Sequence, residues 1–349
     1  MKIVHELNQL DYGGVEKVIR SIIKHDKQNE HTVLVYKDGP FRSRLEEVGA
    51  KVIILDNENM DLEADVIHIH CGGGISQLAQ HLAGQFPIVE TIHSPVRSPM
   101  SSKVITQRVG VSEAVSKLND KCMTIVNGLE FDELDPTRFR DEIREELGIP
   151  AGAVVVGRLG RLGRDKGLED WLLACHYLQM RGYDIWPMIV GGEARDCEGY
   201  RGKLKLIAES LPVKNVVWVG HKDDVGNYLQ AMDVFLYPSP TEGFGLVFAE
   251  AMYNNCAVVT WKTPVTWELF AGYAVFVDKS NGIKGLVDEV EKVLRHTEYM
   301  SELGGNGCAF VESHYQAPLM SNRYQELYER CHADFNSKSE SKEANALSS

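Results

Sequence analysis

Three glycine-bearing turns hold the residues with the most chemistry to offer. The richest is Gly157-Arg158-Leu159-Gly160-Arg161-Leu162-Gly163-Arg164-Asp165-Lys166-Gly167, which places three guanidinium groups and one ammonium group between a strand and a helix. Such cations pair with phosphate oxygens, and glycine lets backbone approach a ligand closely, so the turn has the makings of a diphosphate clamp. Its plainer reading is a solvated charged loop. The stretch Pro238-Ser239-Pro240-Thr241-Glu242-Gly243-Phe244-Gly245-Leu246-Val247-Phe248-Ala249-Glu250-Ala251-Met252 carries one carboxylate at the mouth of a turn and another inside the helix that follows. The amides of Phe244, Gly245 and Leu246 fall at the start of that helix, where no earlier carbonyl takes them up. Taken alone, Glu242 also reads as a charge at a helix start and Glu250 as an exposed helix charge. The third turn, Asp11-Tyr12-Gly13-Gly14-Val15-Glu16, puts two glycines before a helix and suits a phosphate. It matches neither the dinucleotide fingerprint nor the P-loop pattern, and a bare turn is its plainer reading.

The histidines say less. His93 stands just past a strand, in Glu90-Thr91-Ile92-His93-Ser94-Pro95, a position that opens toward a ligand in parallel sheets. His68 and His70 alternate with apolar residues and are expected to share one packed face. No histidine or cysteine spacing indicates a metal, so no metal ligand is assigned. There is no Asp-x-Asp pair and no Gly-x-Ser-x-Gly elbow.

The elements that must position these turns alternate between short apolar runs and amphipathic stretches. Strands are expected at residues 2–7, 31–36, 51–55, 65–70, 87–92, 107–111 and 123–126, with helices at 13–25, 42–48 and 75–83. A charged stretch at 135–150 reads as a linker with a short helix. The alternation then resumes, with strands at 153–158, 185–190, 216–219, 233–237, 257–260 and 274–277. Helices are expected at 168–180, 204–210, 245–254, 282–295, 299–313 and 318–331, and 261–270 reads as a loop. Alternation of this kind means parallel sheets covered on both faces. The expected fold is α/β: two Rossmann-like doubly wound domains facing across a cleft, with the site in that cleft.

Composition limits the alternatives. The chain has 349 residues, 44% of them hydrophobic and 25% charged, which excludes a disordered chain, a collagen and a disulfide framework. Lys and Arg number 37 against 50 Asp and Glu, a formal charge of -13, so non-specific nucleic-acid binding is not expected. The seven cysteines form no two-residue-gap pair and are expected to be reduced thiols. The N-terminus reads as a strand with no secretory signal, and no apolar run reaches the ~18 residues of a membrane span, so a cytoplasmic protein is expected.

Taken together, order and spacing resemble the retaining glycosyltransferases of the GT-B fold, in the GT4 group (glycosyl transferases group 1). The resemblance runs from about Met1 to Cys331 and is most specific at the Glu242-x7-Glu250 stretch. The 157–167 turn follows, with Arg161 and Lys166 at the family's arginine and lysine positions. Gly13-Gly14-Val15-Glu16, residues 65–70, Val111-Ser112, residues 125–128 and Gly191-Gly192 are further landmarks. The resemblance implies an acceptor-side domain at 1–140, with a C-terminal helix at about 318–331 crossing back to it. It also implies a donor-binding domain at 150–312, and the tail at 336–349 is expected to be disordered. Arg161 and Lys166 would neutralise the diphosphate of a nucleotide sugar. Glu250 would hold the ribose, and Glu242 with the amides of Phe244, Gly245 and Leu246 the sugar. Gly243 and Gly191 would line the donor, Gly13 and Gly14 would close over the phosphates, and His93 would meet the donor sugar near its reacting carbon. No cofactor is implied beyond the donor, a UDP-sugar ahead of a GDP-sugar, and no metal. The acceptor would be a hydroxyl on a glycan, a lipid-linked saccharide or another molecule, with peripheral contact at the inner membrane face as in relatives.

Two stretches depart from the family pattern. Residues 93–111 are short and hold Arg97, Lys103 and Arg108, which points to an anionic acceptor or to a trimmed polar loop. Residues 261–270 lack the usual paired glycines; Glu268 could keep the acidic position there, and Trp261 or Trp267 could lie near the nucleotide or in the core. A sugar-nucleotide epimerase, a phosphorylase and a non-catalytic nucleotide-sugar binder stay open as alternatives.

Overall fold

The computed structural model describes residues 1–55, 62–70 and 74–347. Cys71 and the last two residues of the expected tail lie outside them. The chain divides into two units. One comprises Met1–Gly128 with the segment from Ala317, the other Leu129–Gln316.

The first unit runs β1 (Lys2–Gln9), α1 (Gly14–His25), β2 (Glu30–Lys37), α2 (Arg42–Glu46), β3 (Lys51–Ile54), β4 (Val66–Ile69), α3 (Gln77–His81), β5 (Ile88–Ile92), β6 (Gln107–Gly110), α4 (Glu113–Ser116) and β7 (Cys122–Thr124). Its strands pair in parallel in the order β3-β2-β1-β4-β5-β6-β7. The chain moves outward from β1 and then restarts on its other side, so the order reverses between β1 and β4. Helix α1 forms because Val18, Ile19, Ile22 and Ile23 recur on one face, and all four are buried. Burying each such side chain contributes roughly 1.5–3 kcal/mol.

The second unit opens with α5 (Phe131–Leu134) and α6 (Arg140–Glu146). It continues through β8 (Val154–Leu159), α7 (Leu168–Met180), β9 (Ile185–Val190), α8 (Tyr200–Ser210), β10 (Val217–Gly220), α9 (Val225–Leu229), β11 (Val234–Tyr237), α10 (Leu246–Tyr253), β12 (Ala257–Trp261), α11 (Pro264–Phe270), β13 (Val275–Val277), α12 (Gly282–Arg295) and α13 (Thr297–His314). Six parallel strands lie in the order β10-β9-β8-β11-β12-β13. Trp171, Leu172, Leu236, Val259, Leu286 and Val290 are among the side chains that fill its core. Helix α14 (Ala317–Leu347) then belongs to the first unit, where Ser321 donates to the Ile22 carbonyl and Gln325 to that of His25.

Three expectations need correction. The stretch read as a linker is part of the second unit. Arg144 of α6 is buried, reaches the carbonyls of Ala231 and Ala153, and pairs with Asp233 at 2.8 Å. Arg140 also pairs with Asp233, and Asn227 accepts the amides of Thr137 and Arg138. These bonds tie the segment to the sheet despite its charge. The residues read as a disordered tail continue α14 to Leu347, because the Ser-, Lys-, Glu- and Ala-rich stretch contains neither proline nor glycine to stop a helix. Residues 264–270 are helix α11 rather than loop. Thr263 caps it through the Thr266 amide, and Pro264 sits at its first position. Among the described residues no helix is long and apolar enough to cross a membrane.

Candidate active site

In the second sheet β8 lies between β9 and β11, so the turns leaving the carboxyl ends of these strands are neighbours by topology. Backbone bonds join two of them: Gly160 donates to Val190 O at 2.9 Å and Leu162 to Gly192 O at 2.7 Å. The turn after β8 also lies against the turn after β11. Gly167, the cap of α7, has φ +62°, and a Cβ there would stand 2.1 Å from the Pro238 carbonyl oxygen. Only glycine combines that backbone with that approach.

Side chains complete the join. Lys166 Nζ lies 2.9 Å from Glu242 Oε1 and 3.4 Å from Asp165 Oδ2, and Arg161 lies 3.2 Å from Asp165. Arg161 is exposed, whereas Lys166 and Glu242 are largely covered. Gly243 and Phe244 are buried, and the Phe244 ring packs edge-on against Phe270 and Tyr315. That ring anchors the backbone just ahead of α10. Gly245 caps α10 at φ +82°, and Phe248 N donates to Gly245 O. The amides ahead of Phe248 have no acceptor earlier in the helix, which leaves a concentration of N–H dipoles beside Glu242. Glu250, one turn further along α10, is buried. Arg161, Lys166, Gly191, Glu242, Gly243, Phe244, Gly245, Leu246 and Glu250 therefore occupy the loops and the helix at one edge of this sheet. Such an assembly of cations and amides can hold and stabilise a diphosphate.

Arg158 is not part of the exposed clamp. It is fully buried on β8, donates to Lys166 O at 3.3 Å and stacks on the Tyr237 ring 4.8 Å from its centre. Burial lowers its pKa and raises that of the Tyr237 phenol. Arg158 thus props the clamp turn from below. Arg164 lies over Tyr200, 5.4 Å from the ring centre.

Gly13, Gly14 and His93 belong to the first unit. Gly13 caps α1, Gly14 is its first residue, and Glu16 turns back to accept the Asp11 amide at 3.0 Å. His93 follows β5 directly. Its Nε2 lies 3.1 Å from His70 Nδ1, and burial pushes its pKa down to about 4. It is neutral at physiological pH. His68 and His70 share a packed face, as expected, and spacing did not reveal that His5 joins them. His5, His68 and His70 could in principle hold a metal, since one nitrogen from each lies within 4.8 Å of the others. Both nitrogens of His68 are engaged, however, with Tyr328 and Thr91 at 2.7 Å each.

Of the basic residues at 93–111, Arg108 is unavailable to a ligand. It is buried on β6, pairs with Glu90 at 3.0 Å and donates to the Met100 carbonyl. Arg97 is exposed and lies 3.5 Å from Asp120. Trp261 is core, and Trp267 is exposed on α11 with Lys262 over its ring at 4.2 Å.

Known proteins resemble this chain in sequence and in fold. Residues 139–309, just under half of the chain, match the family model for glycosyl transferases group 1. The capsular polysaccharide biosynthesis glycosyltransferase CapM of Staphylococcus aureus is 22% identical over 238 residues, covering 67% of this chain and 60% of CapM. The lipopolysaccharide core biosynthesis mannosyltransferase LpsB of Rhizobium meliloti is 24% identical over 252 residues, covering 69% of this chain and 72% of LpsB. Anabaena HepE, solved in complex with UDP and glucose, superposes with a TM-score of 0.80 at 20% identity, over 95% of this chain and 100% of that one. Residues 139–309 thus resemble the glycosyl transferases group 1 model, and the chain folds as a pair of Rossmann-like α/β units of the GT-B type.

Proposed function

We propose that this protein is a retaining, metal-independent glycosyltransferase of the GT4 group. It moves a sugar from a nucleoside diphosphate sugar, a UDP-sugar ahead of a GDP-sugar, to a hydroxyl acceptor. The observation that carries this reading is the junction of the turns after β8 and β11, where Lys166 meets Glu242 beside Arg161 and the amides ahead of α10. The junction lies within the stretch that matches the family model.

Breaking the bond between sugar and phosphate creates a cationic sugar centre and a charged diphosphate. Arg161, Lys166 and the amides of Phe244, Gly245 and Leu246 stabilise that diphosphate as its charge develops. Glu250 binds the ribose hydroxyls, and Glu242 orients both Lys166 and the sugar. In same-face transfer the departing phosphate oxygen finally receives the acceptor's proton, so no carboxylate nucleophile is needed. The names of CapM and LpsB support a surface-polysaccharide precursor as acceptor, and the HepE complexes support UDP. The protein would act in the cytoplasm, with peripheral contact at the inner membrane face.

The test is nucleoside diphosphate release from UDP- and GDP-sugars, with and without saccharide acceptors, in the presence of EDTA. Acceptor-dependent release is expected. Sugar isomerisation without release would instead make the protein an epimerase, and donor binding without turnover would make it a binder.

A further inference from the structure

The clamp turn rests on a buried charge. Arg158 of β8 is fully buried. A guanidinium keeps its proton, so this is a full positive charge held away from water. Buried charges are normally paired. Arg158 has no ion pair among the described residues, and its Nε and Nη2 have no hydrogen-bond partner there. The contacts it does make are neutral. Nη1 donates to the Lys166 carbonyl at 3.3 Å, and the guanidinium stacks on the Tyr237 ring, 4.8 Å from its centre.

The surrounding charges do not offset it. Glu242 is the carboxylate that acts on it, and that group is already joined to Lys166 at 2.9 Å. Asp165 lies against Arg161 and Lys166. In the first turn of α7, Glu169 accepts the Tyr200 hydroxyl and pairs with Lys203, and Asp170 lies against Trp261. The Lys166 carbonyl belongs to the residue just ahead of the α7 cap, so Arg158 also stands at the positive end of a 13-residue helix. That end of a helix disfavours a cation.

The hydrogen bond to Lys166 has a geometric consequence. In a trans peptide a carbonyl and the amide that follows it point in opposite directions. The Lys166 carbonyl turns in to Arg158, so the Gly167 N–H turns away from it, and that amide takes no acceptor among the described residues. We propose that Arg158 is a positioning residue of the donor site: it turns the Gly167 amide outward and holds an unbalanced charge beneath the clamp, which a bound diphosphate then balances. This rests on the donor reading and adds to it a residue that does not touch the ligand.

The arrangement divides the work among the cations. Arg161 and Lys166 can reach a ligand, but each is held by an acid that competes with the diphosphate. Arg158 has no such competitor, and its buried surroundings leave its field largely unscreened. It destabilises the free protein and favours the occupied one. Its contribution therefore appears as affinity for the diphosphate and not for the nucleoside.

Binding of UDP, pyrophosphate and uridine to the full-length protein, measured by calorimetry alongside thermal unfolding, tests this. Arg158→Met removes the charge at similar length. It should melt no lower than the wild type, because an apolar side chain replaces an unpaired buried charge. Its affinity for UDP and for pyrophosphate should fall roughly 10-fold, with uridine affinity unchanged. Saturating UDP should also raise its melting temperature less than that of the wild type. Arg158→Gln, which keeps a donor for the Lys166 carbonyl but no charge, should lose most of the same affinity, and Arg158→Lys should restore it. An Arg158→Met protein that fails to fold, or melts well below the wild type, overturns the proposal. So does an equal loss of uridine and UDP, because either result marks a role in the fold alone. A wild type that binds neither UDP, GDP nor pyrophosphate sinks the donor reading together with the part given to Arg158. UDP binding that Arg158→Met leaves untouched sinks that part alone.

Discussion

Lys166 of the turn after β8 and Glu242 of the turn after β11 are joined by a 2.9 Å ion pair, so the two stretches to which we assign the donor chemistry are a single structure. Neither side chain lies in the core, and neither is needed to build the sheet beneath. Lys166→Ala and Glu242→Ala should each lower nucleoside diphosphate release by about 100- to 1,000-fold while leaving the melting temperature nearly unchanged. Wild-type turnover in either variant would refute the assignment.

Gly167 holds the two turns in register. An alanine there meets both a left-handed backbone and the Pro238 carbonyl oxygen at 2.1 Å. Gly167→Ala should cost roughly 1–3 kcal/mol in urea unfolding and should reduce donor affinity as the turns separate. Gly182→Ala, beyond the far end of α7, is the control: it carries the same sign of φ, but nothing lies within 4 Å of its Cβ, so only the stability change is expected.

Arg144 ties α6 to the second sheet through the Ala231 and Ala153 carbonyls and Asp233. Arg144→Ala leaves Asp233 to Arg140 but strips the Ala231 and Ala153 carbonyls of their donor. It should destabilise the protein by roughly 1–3 kcal/mol, measured by denaturant unfolding. A variant within 1 kcal/mol of wild type would mean that this segment is a linker after all.

Stability should also fall with acid. His93 has a folded pKa of about 4 against an ordinary value of 6.5, and burial lowers His5, His68 and His70 well below theirs. Below 6.5 the unfolded chain therefore binds protons that the native rings refuse. The stability present above 6.5 drains away as pH falls from there toward about 4, by up to about 1.4 kcal/mol per pH unit for each ring. Urea unfolding between pH about 7.5 and about 5 checks this. A flat profile across that window would show that the rings are not buried as described.

Much of this was readable from residue order. The 157–167 and 238–252 turns could be found because glycines, cations and carboxylates stood in one stretch each, between a strand and a helix. Helix α11 also left a signal that went unused, a capping threonine before Pro264. Arg158 was counted with the exposed cations because sequence does not show that β8 extends through Leu159 and buries it. Arg108 misled in the same way. The buried histidines of the first sheet are different in kind. His5 and His31 are 26 positions apart and His70 and His93 are 23 apart, so only the pairing of four parallel strands brings them into line.

Helix α14 gives the first unit its final layer from residues that are synthesised after the entire second unit. On the ribosome, the nascent first sheet must therefore wait, with His68 and Thr91 lacking Tyr328 and Tyr324, until the second unit has emerged. Release of a chain halted before Ala317 would yield one finished lobe and one uncapped lobe, a natural client for chaperones and proteases.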